Sequence, residues 1–291
     1  MNVGRIATIW RYPVKSMGGE ELPETTVTER GVPGDRSMAL LDCETGKVAS
    51  AKHPRRWGML LDCQARLVGF SVGSTTPAIQ ITLPDGRTLE SGQEDINEHF
   101  AQLLGRSVTL SSVPPRQAET EREYPDVEGL PVSGMFFAGQ IGLGAPPGTF
   151  FDYAPIHLLT TASMAALRRV APNSAVDLRR FRPNLVIATP DAEGFVENDW
   201  VGRTLLLGDG IRLRVTDPTP RCVIPTLPQG INLPRDPSLL RTIAAHNRPP
   251  IPTLGGVNWP SIGVYATVEH GGTVRDGDEV RLAGDRTHSQ R

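Results

Sequence analysis

Near residue 220 the chain reads LRVTDPTPRCVIPTLPQG, and in it one thiol, Cys222, follows Arg221 in a stretch punctuated by Pro218, Pro220 and Pro225. A thiol acts as nucleophile or metal ligand in its thiolate form, which a neighbouring positive charge favours. Thiolate sulfur is also a soft ligand of the kind thiophilic metals prefer. Prolines donate no ladder hydrogen bond, so the backbone here is expected to bulge and present side chains to a cavity. Cys43 and Cys63 lie far away in the chain, and three scattered cysteines make neither a disulfide framework nor a C-x-x-C pair for zinc or an iron–sulfur cluster. Any cysteine chemistry is therefore done by one thiol at a time. Taken alone, such a cysteine also reads as a small buried hydrophobe, and both readings stand at this point.

Other chemistries lack their signatures. No G-x-x-x-x-G-K-S/T, H-E-x-x-H or G-x-S-x-G occurs, and GLGAPPG at 142–148 has the wrong spacing and two prolines for a dinucleotide loop. Nucleotide hydrolysis, zinc proteolysis and serine hydrolysis drop out. With 291 residues, 38% of them hydrophobic, and a net charge of -2, this is an ordinary soluble globular chain of one large domain or two smaller ones. That charge gives no support to nucleic-acid binding. The opening MNVGRIATIW has no apolar leader core, and no stretch reaches the roughly 18 apolar residues of a membrane span, so a cytoplasmic protein is expected.

The elements that must position these residues are mostly short strands. RIATIWRYPV, the pair RSMALLD and KVASAK around the turn CETG, and the pair AIQITL and RTLESG around PDG read as strands and hairpins. EDINEHFAQLLGR spaces Ile96, Phe100, Leu103 and Leu104 along one helical face, with Gly105 at its stop, and closes a first unit over 1–115. Residues 116–150 are rich in Pro, Gly, Glu and Ser and are expected to form a linker or long loop. A second unit follows over 151–285, with a disordered tail at 286–291. In it APIHLL reads as a strand and TTASMAALRRV as a helix starting near Thr161 or Ser163. NLVIAT, TLLLGD, IRLRVTD, SIGVYATVE and DEVRLAG are further strands, and PSLLRTIAAHN is a helix capped by Asp236 with Pro237 at its first position. The fold class is mainly β with a few helices, barrel or sandwich in both halves.

YPVKS at 12–16, GVPGDR at 31–36, LLTTAS at 158–163, FRPN at 181–184, PRC at 220–222 and GVYATV at 263–268 resemble, in that order, the MOSC-domain proteins that carry a MOSC N-terminal β-barrel. In pattern the chain resembles the bacterial YcbX-like proteins and the mitochondrial amidoxime-reducing component. The resemblance covers nearly the whole chain and implies an N-terminal MOSC-N β-barrel-like domain followed by a MOSC β-barrel domain. It also implies a molybdenum–pterin cofactor, its metal held by the pterin dithiolene and one protein cysteine. By position that cysteine is Cys222, the expected metal ligand and catalytic residue; Cys43 and Cys63 match no ligand position.

Lys15, Ser16 and Arg36 match cofactor-binding positions of the family, and a point cation, a hydroxyl and a bidentate fork suit a phosphate. Thr160 and Thr161 match contacts at the start of a helix, itself an anion site; they also read as plain N-caps, and both roles can hold together. Arg182 in FRPN and Tyr265 in GVYATV match further contact positions, and Asn184 is expected to fix the turn. Pro220 and Arg221 complete the set, but Pro220 stands where the amidoxime-reducing proteins usually carry a small polar residue or cysteine, so a missing or altered backbone or hydroxyl contact to the cofactor is expected there. The activity implied is reduction of an N-hydroxylated small molecule by oxygen-atom transfer at the cysteine-ligated molybdenum. The chain ends without the cysteine-rich ferredoxin-like domain that some bacterial relatives append, so a separate redox protein and its reductase are the expected electron donors to a monomer. Two alternatives stay open: sulfur transfer or carbon–sulfur cleavage with Cys222 accepting a persulfide, and a non-catalytic cofactor carrier.

Overall fold

The structure, a computed structural model, describes residues 1–70, 77–130 and 132–284; the tail expected at 286–291 lies outside them. Seven strands close a barrel: β1 (Asn2–Arg11), β2 (Ile156–Thr160), β3 (Leu185–Ala188), β4 (Thr204–Leu207), β5 (Ile211–Pro220), β6 (Ser261–His270) and β7 (Glu279–Leu282). Their order is β3-β2-β6-β5-β4-β7-β1, and β1 returns to pair with β3. Closure leaves none of the seven with an unpaired edge. Only β2 and β3 run parallel, joined through a helix over Thr161–Val170. Side chains two apart along each strand share a face, and Ile156 with Leu158, Leu213 with Val215, and Val264 with Ala266 fill the barrel interior.

The boundary expected at residue 115 does not separate two sheets. The N-terminal strand β1 is a stave of the barrel otherwise built from 156–282, because Ile6 and Ile9 are apolar residues that only the barrel interior buries, to 2% and 0% exposure. The rest of the first 115 residues packs around its own core of Val14, Met17, Leu40, Trp57, Leu60 and Phe100. Gln64–Phe70, Pro77–Thr82 and Thr88–Glu90 form an antiparallel sheet there, and the helix Ile96–Leu104 stops at Gly105 in the left-handed conformation such a stop uses. The hairpin expected for RSMALLD and KVASAK is only begun. Ala39–Asp42 pairs along its length with Val108–Ser111, and Val48 alone bridges back to Leu41.

Within 116–150, the stretch expected as a linker or long loop, the described residues carry regular structure. Glu119–Glu123 and Phe136–Gln140 pair as an antiparallel arm, Val127 and Leu130 pack with Leu240 and Trp259, and Ile141 and Phe150 pack with Ala39 and Val48. Its polar composition reflects strands wetted on one side, not a missing core contact. Among the described residues, no helix is long and apolar enough to cross a membrane.

Candidate functional site

A cavity of about 520 Å³ lies against the outer face of the barrel, where β2, β5 and β6 meet the N-terminal half and the arm. Strand parity decides what faces it. His157 lies between the inward Ile156 and Leu158, and Tyr265 between the inward Val264 and Ala266; both line the cavity. In β5 the register against β6 shifts between Val215 and Asp217 and again between Pro218 and Pro220. The irregularity anticipated from the prolines is thus present, and it brings Asp217 to the same face. Lys15, Ser16, Arg36, Arg182, Pro220, Arg221, Cys222 and Tyr265 all line this one cavity.

Thr160 and Thr161 do not. Thr160 shares the inward parity of Ile156 and Leu158 and is wholly buried; its Oγ1 accepts from the Ser163 N–H (3.1 Å) and donates to Glu197 Oε2 (2.7 Å). Thr161 is the first helical residue, and its hydroxyl takes the Thr189 N–H at 2.9 Å. Thr160 thus caps the helix and Thr161 bonds a strand end, and neither side chain is in the cavity lining.

The basic part of the cavity is built around two carboxylates. Lys15 Nζ donates to Phe150 O (2.9 Å) and Asp152 Oδ1 (2.7 Å), and Lys52 Nζ reaches the same oxygen at 2.8 Å. Burial draws the Lys15 pKa down to about 8 against the opposing pull of Asp152. Burial alone would raise the Asp152 carboxyl, but the ammonium groups of Lys15 and Lys52 outweigh it and hold it well below the usual range. Asp35, with no exposed side-chain surface, accepts from Arg36 Nη1 (2.5 Å), the Tyr12 N–H (2.6 Å) and Asn184 Nδ2 (2.9 Å). Two guanidinium groups lie over the Tyr12 ring, Arg36 at 4.4 Å and Arg182 at 4.3 Å from its centroid. Asn184 does more than fix a turn, since its Oδ1 also takes the His157 N–H at 3.1 Å and ties β2 to the GDR loop.

Ser16, Arg36 and Arg182 have φ of 65°, 45° and 58°, and they are the three non-glycine residues in the left-handed region among those described. An L-residue there costs on the order of 1–3 kcal/mol, and such strain gathers at ligand clamps. All three line the cavity. Ser16 Oγ accepts the Ala51 N–H at 3.0 Å, which holds the loop carrying Lys52 against the same wall.

Around the thiol the groups are arranged differently. Arg221 is buried; its Nε donates to Ile262 O (3.1 Å), its Nη1 to Phe181 O (3.0 Å), and its Nη2 contacts His157 Nε2 (2.6 Å) and Ile262 O. Burial lowers its pKa to about 10, while burial and the Arg221 charge keep His157 well below its ordinary range, as a neutral acceptor. The guanidinium expected to promote the adjacent thiolate is therefore largely spent on main-chain carbonyls. Gly263 in GVYATV permits this packing: at φ 78°, a Cβ there would lie 2.5 Å from His157 Nε2. The Arg221 peptide is held on both sides, its N–H donating to Pro260 O (2.8 Å) and its carbonyl accepting from Trp259 Nε1 (3.2 Å). Cys222 follows, half-buried beside Ala51, Leu61 and Ile224, with its side chain in the cavity lining.

Sequence reasoning missed Lys52, Asp152, His157, Asp35 and Tyr12. Asp35 and Tyr12 lay inside quoted motifs, whereas Lys52 and Asp152 come together only through folding. Among the described residues, seven of those in the lining are Lys or Arg and two are Asp, a lining suited to an anion. Among the described residues no three His, Cys, Asp or Glu side chains stand together as a metal cage.

A sequence profile of the MOSC domain matches residues 146–281, and one of the MOSC N-terminal beta barrel domain matches residues 3–67. The chain is 27% identical over 300 residues to mitochondrial amidoxime-reducing component 1 of Homo sapiens, covering 97% of this chain and 84% of that protein. It is 24% identical over 293 residues to mitochondrial amidoxime reducing component 2 of Rattus norvegicus, covering 96% and 83%. The crystal structure of the YUAD protein from Bacillus subtilis aligns with 96% of this chain and 94% of that one, at 11% identity and a TM-score of 0.43.

Proposed function

The chain belongs to the MOSC-domain family that carries a MOSC N-terminal beta barrel domain, and on that premise we propose that it is an oxidoreductase reducing N-hydroxylated small molecules with a molybdenum–pterin cofactor. The observation that carries this reading is one cavity holding both a lone thiol, Cys222, and a strained basic clamp formed by Ser16, Arg36 and Arg182 with Lys15 and Lys52. The names of the relatives, amidoxime-reducing components, support the reaction class.

When bound, the cofactor supplies the two-electron redox chemistry and the acceptor for the substrate oxygen. The chain's own residues hold and orient it. Lys15, Lys52, Arg36 and Arg182 would take its phosphate by charge-assisted hydrogen bonds, with Ser16 as a further partner. Asp152 and Asp35 pre-position three of those cations, Lys15, Lys52 and Arg36, so little of their side-chain freedom remains to be lost on binding. Cys222 would be the protein's single metal ligand, its position set by the bonds that pin the Arg221 peptide. Pro220 and Tyr265 line the walls beside it.

The sequence carries no iron–sulfur, haem or nicotinamide pattern, and the electrons are proposed to come from a separate redox protein with its reductase. Encounters of that kind typically bury less than about 1,200 Å². A chain with only scattered cysteines suits a reducing compartment, and the cytoplasm is proposed as its location. The test uses protein made in a host that synthesises the cofactor, assayed for molybdenum and for benzamidoxime reduction. Stoichiometric metal, turnover with reduced viologen or with NADH plus a redox pair, and none with NADH alone are expected. Turnover by NADH alone overturns the electron-donor proposal; bound pterin without turnover points to a carrier, and no pterin at all to sulfur chemistry at Cys222.

A further inference from the structure

The cavity lining carries a second chemistry besides its cations. Tyr124 and Phe137, both from the arm, stack with ring centroids 5.7 Å apart at 12°, and Trp259 meets Tyr124 edge-on at 5.6 Å and 77°. Trp259 is the residue whose indole N–H donates to the carbonyl of Arg221, so this cluster is attached to the residue preceding the thiol. Leu143 and Leu254, also in the lining, are 73% and 46% exposed and form an apolar lip where the cavity opens. A phosphate has no use for such a surface, whereas an aromatic ring gains both burial and ring-pair geometry from it.

We propose that Tyr124, Phe137 and Trp259 form the substrate-recognition wall of this protein, selecting N-hydroxylated compounds whose reacting N–O group is borne on a flat aromatic ring over small aliphatic ones. The inference rests on the reductase reading and deepens it. It also accounts for residues 119–140, since the arm brings two of the three rings to a thiol some 85 to 98 positions later in the chain. One aromatic contact is worth about three- to tenfold in affinity, so each ring of the wall contributes a measurable share of the discrimination.

The experiment measures kcat/KM of the molybdenum-loaded enzyme for benzamidoxime and for acetamidoxime, with reduced viologen as donor, in the wild type, Phe137→Ala and Phe137→Tyr. The wild type is expected to prefer benzamidoxime. In Phe137→Ala that preference falls about three- to tenfold while molybdenum and pterin content hold, and Phe137→Tyr restores it. An unchanged preference overturns the proposal, as does a loss of pterin in Phe137→Ala, which would assign the wall to the cofactor. If the wild type reduces neither compound, the reductase reading fails separately, and calorimetric binding of the two compounds to the same proteins decides the wall. Benzamidoxime binding tighter than acetamidoxime, with the difference reduced in Phe137→Ala, keeps it; equal binding overturns it.

Discussion

Cys222 and Lys15 carry the sharpest residue-scale predictions. Cys222 is half-buried on a loop held by Trp259 and Pro260, so Cys222→Ala removes a thiol from a cavity wall without emptying the core. The fold should lose no more than about 1 kcal/mol while turnover and metal retention disappear; thermal melts, molybdenum content and activity on one sample check it. Lys15 is protonated at neutral pH but loses its proton near pH 8, well before the ordinary 10.5. Sulfate binding to cofactor-free protein should accordingly weaken, by about tenfold or more, as pH rises through 8, and Lys15→Met should bind weakly with a flatter profile. Calorimetry between pH 7 and 9.5 reads this directly, since sulfate keeps its charge over that range. The stability linkage has the opposite sign. Between pH 8 and 10.5 the unfolded chain holds this proton more firmly than the folded one, so the Lys15 contribution to stability rises with pH there.

At the scale of elements, the helix Thr161–Val170 tests the reassignment of Thr160. Thr160→Val removes the cap on Ser163 N–H and one of the two hydroxyl donors to Glu197, whose pKa burial already raises and whose Oε1 has no partner among the described residues. The expected cost is about 1 kcal/mol or somewhat more, seen as a lower Tm, with pterin occupancy unchanged because the side chain lies on the inward face of β2. Reduced occupancy at unchanged Tm would return Thr160 to the cofactor site. Alternating strands such as IRLRVTD were legible because parity shows in the apolar residues themselves. The arm was not: ETERE and FFAGQ bury only part of each face, and Tyr124, just after ETERE, meets Trp259, far away in the chain.

For the molecule as a whole, the consequential feature is that the first strand completes the last barrel. Without β1 the edges of β3 and β7 are unpaired, and Ile6 and Ile9 leave the interior empty where they stood. Residues 146–291 expressed alone should therefore fail to give a cooperative thermal transition or a monomeric gel-filtration peak. A circular permutant that places residues 1–11 after residue 284 of that fragment should recover both. A fragment that folds without β1 would contradict the closed-barrel account.

Sequence alone determined the chemistry of single residues and the local elements. The lone thiol among prolines, the glycine stops, the Asp236 cap and the strand periodicities are properties of neighbours in the chain, and their energies are local. The ordered motifs also pointed to the family. Tertiary structure alone decided that Lys15 and Lys52 share Asp152, that Arg221 is enclosed by carbonyls and His157, that Ser16, Arg36 and Arg182 are strained together, and that an acidic, polar stretch supplies an aromatic wall. Each of these joins residues distant in the chain. Such contacts form only when burial of several separate apolar faces offsets the entropy of closing the loops between them, a balance that no local stretch records.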